Sequence, residues 1–443
     1  MQGGGMRESG VRNAGRRPGR RGVLAGAGAL AAAAWLAPAV ARAAGRRGRG
    51  GERAAAGGLA RATLPRPSGP FPVGTVSVRL VDRSRPDPWV PEVPYRELMV
   101  SLRYPAREVA GLRRAPQLTA GEAAAFDQLN NFAGLLPAGA VDWAGTRTFA
   151  YEDAPLDRRH GPRPVVLYSP GVLDPRSFGT TLTDELASRG HVVVTVDHTY
   201  EVSAVEFPGG RVLTSVLPAE AEAAAEAGTL TELLRKTAAV RVADTRFVLD
   251  QLTALPAGGG QLPWRFRHAV DTGAIGMFGQ SAGGFTALQA MHDDPRLTAA
   301  ADLDGVLAYV QEDTEPGGLS PVAVDGLEGP VLLMGMEGHD HHSVPSWGAL
   351  WEHSTGPRAD LTLSGSRHAT FTDAAWMLPS LAPRLGLPAE AVAETIGTIP
   401  AGRAVAAQRA YVAGFFASRL LGRGDESLWE GPSPLFPEIR FVS

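Results

Sequence analysis

The chain has 443 residues, 44% of them hydrophobic, enough for two average domains or one large α/β domain with a sizeable core. Cysteine is absent, which excludes disulfides, thiolate metal sites, a cysteine nucleophile and a lipidated N-terminal cysteine. The formal charge is −3, but seven Arg and one Glu fall in the first 43 residues and six Arg and one Glu in residues 44 to 74, so the remainder carries about −14. An acidic body without clustered Lys or Arg argues against nucleic-acid binding.

The stretch RRPGRRGVLAGAGALAAAAWLAPAVARAA sets arginines before an Ala/Gly/Leu run and closes on Ala41-Arg42-Ala43, the order of a signal peptide's charged, apolar and cleavage regions. Arg20-Arg21 before Gly22-Val23-Leu24 resembles a twin-arginine signal, so residues 1 to 43 are expected to direct export and a secreted product. An uncleaved membrane anchor over residues 23 to 41 is the alternative, weighed down by Pro38 and the small residues at the cleavage site. Residues 44 to 74, rich in Gly, Arg and Pro without apolar periodicity, are expected to be a flexible linker, and residues 75 to 443 the catalytic domain.

TVSVRLVD (75 to 82) and RELMVSLRYP (96 to 105) alternate apolar and polar residues and read as antiparallel strands, each with one buried face, at a sheet edge. Continuous apolar runs follow: PVVLYSPG (164 to 171), HVVVTVD (191 to 197), AIGMFGQS (274 to 281), TAAADLDG (298 to 305) and PVLLMGM (330 to 336). Strands of this kind separated by helical patterns indicate a mostly parallel sheet covered by helices on both faces. Between them, Glu201 to Thr229 fits neither strand nor simple crossover; PAEAEAAAEAG within it reads as a helix near the mouth of the site, a candidate cover. The longest helix is expected over 231 to 255, with Leu233, Val240 and Phe247 seven residues apart, and a closing helix over 406 to 422 ends at Gly422. No internal repeat is present.

Within AIGMFGQSAGGFTAL, the core Gly279-Gln280-Ser281-Ala282-Gly283 fits G-x-S-x-G, the turn that carries a nucleophilic serine between a buried strand and a helix. A sharp turn there strains the serine backbone and crowds strand against helix, so a Cβ at either flanking glycine is expected to clash. The helix N-terminus then favours negative charge developing beside the hydroxyl. A serine needs a base, and His368, in the turn after ADLTLSG, lies beyond the last strand candidate in the chain order Ser, acid, His. For the acid, Asp302 and Asp304 end one strand, on the same face by alternation, and Glu337 and Asp340 follow the next; order alone leaves these open. EGHDHHS (337 to 343) invites a metal reading, but no two of its histidines have the i, i+4 spacing of a helical zinc pair. Asp197 and His198 are read as a hydrogen-bonded loop anchor.

LVDRSRPDPW, RELMVSLRYPA, VVLYSPG, GHVVVTVDHTYE, GMFGQSAGG, ADLDG and SGSRHATFTD, in that order over most of residues 75 to 420, resemble the platelet-activating factor acetylhydrolase family, the plasma or lipoprotein-associated type and its bacterial relatives. The resemblance implies an α/β-hydrolase fold, with the acid at Asp304 beside Ser281 and His368, and Asp340 in reserve. It also implies an oxyanion hole of two backbone N–H groups, Ala282 and Val172. One departure is Pro170-Gly171 where the family often has His-Gly; Pro170 has no N–H to donate. The implied reaction removes short or oxidised acyl groups from the sn-2 position of glycerophospholipids through an acyl-enzyme, with no metal or organic cofactor and at most transient contact with a lipid surface. A broader carboxylesterase, lipase or polyester hydrolase of cutinase type would share the triad, and a non-catalytic lipid- or partner-binding relative would not need it.

Overall fold

The computed structural model describes Met1 and residues 58 to 443 apart from 311, 312, 315, 316 and 425, so the expected signal peptide beyond Met1 and residues 44 to 57 of the expected linker lie outside the described residues. The rest of that linker is not loose chain. Ala60 pairs with Val141, Ala60, Ala62 and Leu64 join a buried cluster, and Ser68 is bonded to Glu185. The folded body therefore begins by Ala60 rather than at Thr75. Small and apolar residues every second position, not helical periodicity, carry that packing, which is why a composition-based reading passes over it.

The five apolar runs form parallel strands β5 (Arg163–Ser169), β6 (Val192–Asp197), β9 (Val270–Gln280), β10 (Leu297–Leu303) and β11 (Val331–Gly335), joined by β12 (Arg358–Leu363). With β1 (Val73–Asp82), β2 (Arg96–Pro105), β3 (Arg114–Pro116), β4 (Arg147–Glu152) and β13 (Ile439–Val442) they make one eleven-stranded sheet in the order β13-β12-β11-β10-β9-β5-β6-β2-β1-β4-β3. Pairings from β6 through β12 are all parallel. Successive residues serve opposite faces: Val165 and Leu167 enter one core cluster, Val166 and Tyr168 the other.

Helices α1 (Thr180–Ser188) and α5 (Ala401–Leu421) cover one face; α3 (Leu230–Ala254), α4 (Ala282–Asp293) and the short helix Pro345–His353 cover the other. This is the α/β-hydrolase architecture. Gly422 ends α5 in the left-handed conformation, at φ 59°, as expected of a C-terminal glycine.

Two expectations change. β1 and β2 pair antiparallel as read, but β2 is buried at every position and β4 and β3 extend the sheet beyond β1. The second face of β2 is covered because Met99 packs on Val202, Val205 and Phe207. Those residues belong to the stretch from Glu201 to Thr229, which contains a hairpin, β7 (Ala204–Phe207) and β8 (Arg211–Thr214), followed by helix α2 (Leu217–Ala227). The helix stands as expected; the hairpin does not follow from the sequence because its two strands are only four residues each, too short for a period-two pattern to declare them. Helix α2 packs on α3 in a cluster that also touches Val172.

Candidate active site

Ser281 stands between β9 and α4 with φ 59° and ψ −126°, a left-handed-side backbone that non-glycine residues adopt only under constraint. The constraint is visible. Ser281 N–H donates to Leu303 O at 2.9 Å, and its carbonyl accepts from Gly284 and Phe285 at the start of α4. A Cβ on Gly279 would stand 2.6 Å from Ser169 O, and one on Gly283 would overlap that oxygen and stand 2.6 Å from the Ser169 carbonyl carbon. Both flanking positions must be glycine for β5, β9 and α4 to approach this closely.

Asp304 follows β10 at φ 59°, which breaks the strand alternation that would place it beside Asp302. The two carboxyl groups therefore go different ways. Asp302 lies under α4, accepting from Gly305 N–H at 2.8 Å, and burial pushes its pKa well above the usual carboxylate range. Asp304 instead accepts at Oδ2 from His368 Nδ1 at 2.6 Å, and at Oδ1 from Met336 N–H at 3.0 Å and His339 Nδ1 at 2.9 Å. Burial alone would raise the Asp304 pKa, but the bonds from His339 and His368 outweigh it and hold the group well below the ordinary value. It is a carboxylate at any working pH. The reserve acid, Asp340, caps its own loop through His342 and Ser343 N–H groups and does not reach His368.

His368 Nε2 lies 3.0 Å from the amide nitrogen of Gln280. An amide N–H can only donate, so this bond and the one to Asp304 assign the proton of His368 to Nδ1 and leave Nε2 as an acceptor. That is the tautomer a general base requires. Among the described residues Ser281 Oγ has no hydrogen-bond partner, so in this resting arrangement the Gln280 amide holds the nitrogen that must later face the serine.

Neither Ala282 N–H nor Val172 N–H has an acceptor among the described residues, which leaves both open to an anion. The loop Pro170-Gly171-Val172 is fixed from behind. Arg241 of α3, fully buried, donates to Pro170 O at 2.6 Å and to Glu201 at 2.6 Å, and Glu201 also accepts from Trp89. Ser169, just before the loop, bonds His198 Nε2 at 2.9 Å, and His198 Nδ1 bonds Asp244 at 3.0 Å. This second serine, histidine and aspartate are all buried, so no substrate reaches them; they act as an anchor, as read for His198. Asp197 anchors separately, on Arg176.

The histidines of EGHDHHS go to three different partners: His339 to Asp304, His341 to Asp360 at 2.6 Å, and His342 to the Ser443 carbonyl oxygen at 3.0 Å. A small apolar pocket opens beside Ala282, lined by Leu234 and Ala238 of α3, Phe285 of α4, and Val306, Ala308 and Tyr309 of the loop after β10. Arg235 stacks on the Tyr309 ring, its guanidinium carbon 4.7 Å from the ring centre.

The structure thus brings together Ser281, Asp304, His368, Ala282 and the Val172 loop. Sequence reasoning missed Gln280, His339 and Arg241. Gln280 sits inside the G-x-S-x-G motif and was legible as a neighbour of the base; His339 and Arg241 act through contacts that no local pattern encodes.

No protein-family model matches the chain. A protein of Arthroderma benhamiae named "Probable 1-alkyl-2-acetylglycerophosphocholine esterase" is 30% identical over 403 residues, covering 86% of this chain and 93% of the relative. Among solved structures, a ferulic acid esterase from Streptomyces cinnamoneus is 35% identical with a TM-score of 0.67, covering 86% of this chain and 99% of that one.

Proposed function

Because the chain belongs to the platelet-activating factor acetylhydrolase family of α/β-hydrolases and is a carboxylic ester hydrolase, we propose that it releases the short sn-2 acyl group of glycerophospholipids through an acyl-enzyme on Ser281. The observation that carries this reading is the bond from the Asp304 carboxylate to His368, proton on Nδ1, beside the strained Ser281 and two N–H groups, of Ala282 and Val172, that have no acceptor among the described residues. Once the Gln280 amide moves aside, Ser281 Oγ attacks the ester carbonyl carbon and passes its proton to His368 Nε2. Ala282 and Val172 N–H groups take the oxyanion. The intermediate collapses, His368 returns the proton to the leaving alcohol oxygen, and water repeats the sequence on the acyl-serine. The small pocket beside Ala282 suits a short acyl chain.

Hydrolysis of a 2-acetyl glycerophospholipid beside p-nitrophenyl acetate, by the wild type and Ser281→Ala, tests the proposal. Both substrates should turn over, and both rates should fall by about 10³-fold or more in the variant. Cleavage of the activated ester alone leaves the chemistry standing and removes the phospholipid. A second reading, esters of phenolic acids, is favoured by the ferulic acid esterase at 35% identity; methyl ferulate cleaved faster than the acetyl phospholipid would select it. Export is part of the proposal and rests on Arg20-Arg21 and Ala41-Arg42-Ala43. Joint Arg20→Lys and Arg21→Lys substitution should keep the protein inside the cell.

A further inference from the structure

Two groups beside the Val172 loop have no part in the steps above, Asn130 and Asp174. After Asn130 the chain makes a left-handed turn, with Asn131, Phe132, Ala133 and Gly134 at φ 43°, 52°, 54° and 74°. Three of these are not glycine, so packing must impose the turn. Phe132 meets the rings of Phe126, Trp143 and Phe178, each 5.6 Å away, and Asn131 donates to Leu136 O at 2.9 Å. The result is a fixed Asn130 amide that donates to Leu173 O at 3.1 Å and to Asp174 Oδ1 at 3.0 Å.

One carboxylate oxygen of Asp174 is thereby held and the other is not. Among the described residues Asp174 Oδ2 has no hydrogen-bond partner, and the residue is half-buried. Gln280 Oε1, Asp174 Oδ2 and Ser281 Cβ lie 2.5, 3.3 and 3.5 Å from a single point, the place where a side chain on Gly171 would begin. The charged and titratable groups that face Asp174 are His368, Arg241 and the Tyr168 hydroxyl, and Arg241 is already committed to Glu201 and Pro170 O. Burial, against the Asn130 bond and the His368 charge, pushes the Asp174 pKa up to about 6. It is an anion at pH 8. An amide at position 174 would accept the same Asn130 bond without setting a negative charge near an oxyanion hole, so the charge bears on what enters the site.

His368 delivers its proton to the leaving oxygen, so the alcohol portion of a substrate passes close to His368 Nε2, which Gln280 bonds and whose charge reaches Asp174. The apolar pocket beside Ala282, whose lining does not include Asp174, is left for the acyl portion. We propose that Asp174 is a specificity-determining residue, its free carboxylate oxygen favouring esters whose leaving alcohol is positively charged and rejecting those whose alcohol is negatively charged. The proposal rests on the esterase reading of Ser281 and His368.

Three thioacetates with a common acyl group test it: acetylthiocholine, its neutral isostere 3,3-dimethylbutyl thioacetate, and anionic S-acetyl-3-mercaptopropanesulfonate. Thiol release is read with a disulfide reagent, to which a chain without cysteine is silent. At pH 8 the wild-type kcat/KM ratio of cation to anion should be on the order of a hundred, about tenfold in each direction from the neutral ester. Asp174→Asn should lower that ratio at least tenfold, and Asp174→Glu, which keeps the charge, should restore most of it. The wild-type ratio should also fall as the pH drops through about 6 while that of Asp174→Asn stays flat. A wild-type ratio near one, or an equal change on all three esters in Asp174→Asn, overturns the proposal. Failure of the wild type on the neutral thioester, or its hydrolysis by Ser281→Ala, overturns the esterase reading instead.

Discussion

Gly283→Ala is the sharpest probe of how the nucleophile turn is held. The added methyl would overlap Ser169 O and stand 2.6 Å from the Ser169 carbonyl carbon and 2.9 Å from Pro170 O, all of them backbone atoms. Ordinary carbon contacts need about 3.5 Å or more, so strand β5 and the chain after it must retreat by roughly 1.5 Å. Ser169 cannot yield alone, because it is bonded to His198 and leads directly into the loop that carries Val172 N–H. Overpacking of this kind costs about 1–3 kcal/mol of stability. A shift of about 1 Å in an oxyanion donor costs about 10²-fold in kcat. Gly402→Ala, in α5 with nothing within 4 Å of the new Cβ, is the internal control and should be neutral or slightly stabilising. Urea midpoints and p-nitrophenyl acetate kinetics on both variants decide the matter. Full kcat and an unchanged midpoint for Gly283→Ala would refute the claim that close backbone approach, rather than the serine's own turn preference, sets this geometry.

Asp304→Asn should lower kcat on the order of 10³- to 10⁴-fold with little change in KM, whereas Asp302→Asn, replacing a carboxyl that burial pushes well above the usual carboxylate pKa range and that bonds Gly305 N–H rather than a histidine, should stay within about tenfold; steady-state kinetics of the two separate the acids. Arg241→Met leaves Glu201 buried with Trp89 alone and should cost about 3–5 kcal/mol in denaturant titration, and the double variant with Glu201→Gln should regain part of that stability but not kcat, because the Pro170 carbonyl stays unheld. His191, fully buried, has its pKa lowered to about 4 by burial, so its unfolded form binds a proton first as the pH falls; the stability it contributes is complete above about 6.5 and is lost between there and about 4. His191→Gln should flatten the decline of Tm with pH over that window by up to about 3 kcal/mol in equivalent stability, and an identical slope in both proteins would dismiss the assignment.

The parallel half of the sheet was legible because a strand buried on both faces is apolar at every position, and β5, β6, β10 and β11 each begin or end within a residue or two of the run that announced them. The antiparallel half was less so. β2 carries Arg96, Glu97, Ser101 and Arg103 in buried positions, which a sequence reader assigns to a wet face. Those charges are inside because their partners are: Arg96 meets Asp87 and Asp244, and Arg103 meets Asp184. Such pairs join residues up to 148 positions apart, and nothing local to either member declares the other.

The same distinction divides the site. Ser281 could be found because its chemistry demands a turn, the turn demands Gly279 and Gly283, and all three fall within five residues. His368 could be placed because a parallel sheet delivers its functional side chains at strand ends in a fixed order, whereas that order left the acid open among four carboxylates and only the family resemblance pointed to Asp304. Gln280, Arg241, Asn130 and Asp174 answer to no such demand; each does its work by touching a backbone carbonyl or a neighbouring polar group brought near only by the complete fold. The triad is what esterases of this architecture hold in common, whereas these four sit where a substrate's alcohol and the Val172 loop must be accommodated. What distinguishes this chain from other esterases is therefore expected at the positions whose identity the motifs leave open, and substitutions at Gln280 and Asp174 should alter the choice among esters more than the rate on the best one.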